Sequence, residues 1–77
     1  MDIYKQIKNE TDVEYLTQLE KYVDMDISNI GSDSEKMLKI KADMIGVTPE
    51  KYLENQRDTF TKLKETIQKR IKTLNSL

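Results

Sequence analysis

Residues 49–75 read PEKYLENQRDTFTKLKETIQKRIKTLN, a stretch in which the chain's only proline stands first and no glycine follows. Leu53, Phe60, Ile67 and Leu74 recur in it every seven residues, and Tyr52, Leu63 and Ile71 widen the stripe. Gln56 and Arg70 are the polar members along its edge. Apolar positions at this spacing share one face of an α-helix. Proline at the first helical position removes an amide that would have no partner anyway, and Thr48 before it supplies the N-cap hydroxyl. The spacing predicts one long helix from Pro49 to about Asn75.

Upstream, Gly46 suits the left-handed residue that ends a helix. The segment before it opens with Ser32-Asp33-Ser34-Glu35, the pattern of a capping box. A helix is therefore expected from there to about Ile45. Its apolar residues Met37, Leu38, Ile40, Met44 and Ile45 spread over an arc so wide that it suits a helix packed between two others. The stretch Asp26–Asp33, with Ser28, Asn29, Gly31 and Ser32, has the chemistry of a loop. Thr11-Asp12-Val13-Glu14 is a second capping box, with Thr11 as N-cap. After it Tyr15, Leu16, Leu19, Tyr22 and Val23 fall within roughly 120°, which gives a helix over about 12–25. Ile3 and Ile7 lie outside that arc, so a separate short helix at about 2–9 and a bend near Asn9–Thr11 are expected. The reading is a single all-α domain over 1–77: three main helices, a short extra one at the N-terminus, and a long one at the C-terminus.

Composition narrows the chemistry. The 77 residues include no Cys, no His and no Trp, with 13 Lys plus Arg against 14 Asp plus Glu. Without Cys there is no disulfide framework, thiolate metal site or cysteine nucleophile. Without His the chain lacks the side chain best suited to proton transfer near neutral pH. No phosphate-cradling glycine loop or nucleophile elbow is present, so neither an enzyme nor a cofactor is expected. The longest apolar run, Met44 to Val47, cannot span a bilayer, and the N-terminus lacks the apolar segment of a signal peptide. A cytoplasmic chain is the expectation.

The long helix carries the functional reading. Twenty-seven residues make about 40 Å of helix, whereas a compact domain of this length is about 30 Å across. Two short helices do not easily cover a stripe that continues to Ile71, Leu74 and Leu77. The expected complement is a second copy of the chain. Leu53 and Phe60 then pack mainly within the subunit, and Leu63, Ile67, Ile71 and Leu74 form an oligomer interface. Charge is uneven too: residues 1–35 net −6, residues 36–50 net +1 and residues 51–77 net +4. Acidic helices could pair with the basic one inside a subunit, or Glu20, Asp24 and Asp26 could face another protein. Both options suit a non-enzymatic interaction protein such as a small regulator, inhibitor or assembly factor of phage or mobile-element type.

Two short resemblances carry alternatives. Ala42-Asp43-Met44-Ile45-Gly46-Val47-Thr48-Pro49-Glu50-Lys51-Tyr52-Leu53 resembles the core of a helix-turn-helix, in which small residues let two helices cross closely. That likeness implies a DNA-binding regulator. It departs from the motif at Lys41 and Asn55, where apolar residues are usual. Its second helix would present Glu50, Lys51, Glu54, Arg57 and Asp58, a face that serves a phosphate-lined groove poorly. Nucleic acid is not the expected partner. Asp24, Asp26, Ser28, Ser32 and Glu35 fall at alternating positions similar to those of an EF-hand calcium loop, with Asn29 in place of its turn glycine. Lys41, inside the apolar arc of its helix, is a lysine that either snorkels to water or is buried with a lowered pKa.

Overall fold

The computed structural model describes residues 2–77. It holds four helices and, among the described residues, no strand: α1 (Ile3–Asn9), α2 (Val13–Ser28), α3 (Glu35–Met44) and α4 (Pro49–Asn75). The all-α reading and the long C-terminal helix stand. α1, α2 and α3 each pack against α4, α2 most extensively, and hardly against one another. α4 is the spine on which the others are laid.

Contacts along the spine give the directions. Tyr4 lies beside residues 58–65 and Lys8 beside residues 66–73, so α1 runs the same way as α4. Glu10 meets Arg70, Asp24 meets Lys64, and Asn29 and Ile30 lie near Gln56 and Phe60, so α2 runs back along it. α3 covers the first turns of α4. Spreading three helices along one makes an elongated molecule, 48 × 21 × 16 Å with a radius of gyration of 15.0 Å. A compact chain of this length would have a radius of about 11–12 Å. The mismatch between a long helix and a small globule is therefore resolved by shape.

The caps show how the sequence punctuates itself, and two of them shift. Asp12, not Thr11, is the N-cap of α2, its carboxylate accepting from the Tyr15 amide at 3.2 Å. The Thr11 and Asp12 amides both donate to Glu10 Oε1 at 3.0 Å. Glu10 thus serves from upstream the Thr11 amide that a capping box leaves to Glu14. Ser34, not Ser32, caps α3 by accepting from the Met37 amide at 3.2 Å. Thr48 caps α4 as expected, through the Lys51 amide at 3.1 Å, with Pro49 at the start of the helix.

α2 also runs about one turn past its expected end at residue 25. Ile27 packs against the hydrophobic core, and burying it favours another turn of helix over the loop that Ser28 and Asn29 suggest. The Ser28 hydroxyl donates to the Asp24 carbonyl, so it stays within the helix. At the end of α3, Gly46 has φ +73°. The Val47 amide donates to the Ala42 carbonyl and the Gly46 amide to that of Asp43, which is the six-to-one and five-to-two pairing of a Schellman turn.

Candidate interaction surface

The core lies toward the C-terminal half of α4. Ile7 from α1, Leu16 and Val23 from α2 and Ile67 from α4 are buried together, with Leu19, Ile27, Phe60, Leu63, Ile71 and Leu74 packed partly against them. Ile67, one of the four residues expected at an oligomer interface, thus lies inside the chain's own core. Ile67 has no surface left for another chain. Leu63, Ile71 and Leu74 are already half-covered by their own chain, because α1 and α2 lie along this part of α4. Leu77, past the end of the helix, is 96% exposed.

The acidic residues are likewise turned inward in part. Asp24 Oδ1 and Lys64 Nζ form an ion pair at 2.6 Å across the α2–α4 contact. The hydrogen bond to Asp24 raises the Lys64 pKa above its ordinary value against partial desolvation, and the charges of Asp24 and Glu20 add to it. Of the expected acidic surface, Glu20 and Asp24 thus serve the chain's own basic helix, and Asp26 is the member that stands exposed.

The calcium-loop resemblance does not find the geometry it requires. Asp24, Asp26 and Ser28 occupy the last turns of α2, where alternate residues diverge by about 200° around the axis. They cannot converge as calcium ligands do from a loop. Glu35 opens α3, and among the described residues no group of three or more acidic side chains is gathered for a metal. The helix–turn–helix corner does exist, with Ala42 buried at the crossing. The outer face of its second helix keeps the mixed charge expected of it, and Lys51 is partnered with Glu54 at 3.8 Å. Lys41 is half-buried and donates to Asp33 Oδ2 at 2.9 Å. That hydrogen bond raises its pKa, the opposite of an activated lysine.

What remains uncovered is α3. Leu38 is half-buried and Ala42 fully buried on the side toward α4. Met37, Ile40 and Met44 occupy the other side, 46%, 46% and 79% exposed. They stand at i, i+3 and i+7, one heptad of an apolar seam, within about 60° of arc. The helix that the sequence marks for two neighbours has one. Tyr15, Tyr22 and Met25 form a second exposed set on the outer side of α2. Heptad spacing was the signal in both cases, but in α3 it is masked by the buried residues interleaved with it.

No protein-family model matches the chain, and neither the curated proteins nor the solved structures include a significant match to it. No helix among the described residues is long and apolar enough to cross a membrane.

Proposed function

We propose that this chain is a non-enzymatic protein–protein interaction module that works as a homo-oligomer. The observation that carries the reading is α3, a helix apolar on two sides with a neighbour on one. Three large apolar side chains in a row on a ten-residue helix are costly to leave in water, and contiguous patches of this kind mark interaction sites. This reading puts self-association on the outer side of α3 instead of the distal stripe of α4, where Ile67 is buried and Leu63, Ile71 and Leu74 are half-covered.

Sedimentation equilibrium over about 10–500 μM tests this, a range suited to a contact smaller than the 1,200–2,000 Å² or so of a standard interface. The expected result is a concentration-dependent mass rising above the 9.1 kDa of one chain. A mass that stays at 9.1 kDa throughout rejects self-association.

A further inference from the structure

We propose that two copies of this chain pair through α3 in antiparallel orientation about a two-fold axis at Ile40, with Lys36 of each copy set against Asp43 of the other. The proposal rests on the self-association reading above and specifies its surface and geometry.

The heptad assigns the parts. With Met37 and Met44 at equivalent seam positions and Ile40 between them, Lys36 and Asp43 fall seven apart on one flank, and Lys41 falls on the other. Ile40 on the axis puts Met37 about 4.5 Å to one side of it and Met44 about 6 Å to the other, at 1.5 Å rise per residue. The two-fold then brings Met44 of the second copy to within about 1.5 Å of the level of Met37, so the methionines interleave. By the same arithmetic Lys36 and the second copy's Asp43 differ in level by about 1.5 Å. In an antiparallel pair like flanks face each other, so both Lys36–Asp43 pairs form at once. A parallel pair would instead set Lys36 against Lys41 of the other copy, two positive charges together.

Charge in the single chain agrees with this arrangement. Lys36 and Asp43 are both exposed, and among the described residues neither makes an ion pair. Lys41 is already neutralised by Asp33 on the opposite flank, so the two Lys41 side chains near the axis do not oppose the approach. The uncovered face of α3 is thus self-complementary in both shape and charge.

The test is sedimentation equilibrium on the full chain, with circular dichroism on each variant to confirm its helix content. Ile40→Asp is expected to weaken association at least tenfold. Asp43→Lys and Lys36→Asp, both at exposed positions outside the core, are each expected to weaken it at least fivefold. An equimolar mixture of these two variants should recover wild-type affinity, because every flank pair in the mixed dimer is again opposite in charge. Failure of the mixture to recover rejects the antiparallel pairing. A dimer that none of the α3 variants moves rejects this surface while leaving self-association standing. A wild-type chain monomeric to about 500 μM rejects both.

Discussion

Arg70 Nε donates a 2.7 Å hydrogen bond to the backbone carbonyl oxygen of Glu10, sixty residues away in sequence. Glu10 is the extended residue that ends α1 and turns the chain toward α2. Its carbonyl lies outside any helical ladder, and the guanidinium supplies the partner it would otherwise lack. One contact therefore ties the α1–α2 bend to the far end of the spine. Replacing Arg70 with Ala is expected to destabilise the fold by about 1.5–3 kcal/mol, the range for hydrogen bonds from a charged donor. Urea unfolding checks this. A midpoint within error of wild type would mean that water serves Glu10 equally well.

Ile67 separates the intrachain core from an interchain seam. Ile67→Ala removes a fully buried side chain and is expected to cost about 2–4 kcal/mol. Against a total of about 5 kcal/mol or less for so small a core, that leaves the variant largely unfolded on warming. Because the loss is inside one chain, it should be equally large at every protein concentration. Leu77→Ala, at an exposed position, should leave the melting temperature unchanged.

The Asp24–Lys64 pair makes stability fall in alkali. The Lys64 pKa in the folded chain is raised above its ordinary 10.5, so the folded state holds that proton more tightly than the unfolded state. The contribution is complete below 10.5 and declines as pH rises through the higher folded value. Asp24→Asn should lower the melting temperature at pH 8, with the gap to wild type closing as the pH is raised toward 12. Added salt should narrow the gap as well, since the pair is partly exposed. A gap that is constant with pH would assign the loss to packing instead of charge.

Alanine substitution at the start of α2 decides which residue is its cap. Asp12→Ala is expected to cost about 1 kcal/mol, and Thr11→Ala a few tenths at most. The same contrast applies at α3, where Ser34→Ala should destabilise and Ser32→Ala should not. Chemical denaturation of the four variants measures it directly.

Element type was legible in the sequence because it depends on neighbours a few residues apart. Pro49, the Gly46 stop and the bend near Glu10 all mark true boundaries. The shifted caps came from choices between residues one or two places apart with similar chemistry, Thr11 or Asp12 and Ser32 or Ser34. At α2, Glu10 occupies the Thr11 and Asp12 amides from outside the helix. Ile27 extended α2 for a different reason, since it packs against a core that residues far apart in sequence, Ile7 to Ile67, build together.

The sequence by itself determined four helices, a spine too long for a compact globule, and a basic last helix against an acidic first half. Periodicity and composition carry these because helix formation and charge are local properties. Only the tertiary structure decided which apolar stripe is covered. A heptad in α4 and a heptad in α3 look alike in one dimension. Along the first, α1 and α2 bury Ile67 and half-cover its neighbours, and the second faces water because α4 packs on the opposite side of α3.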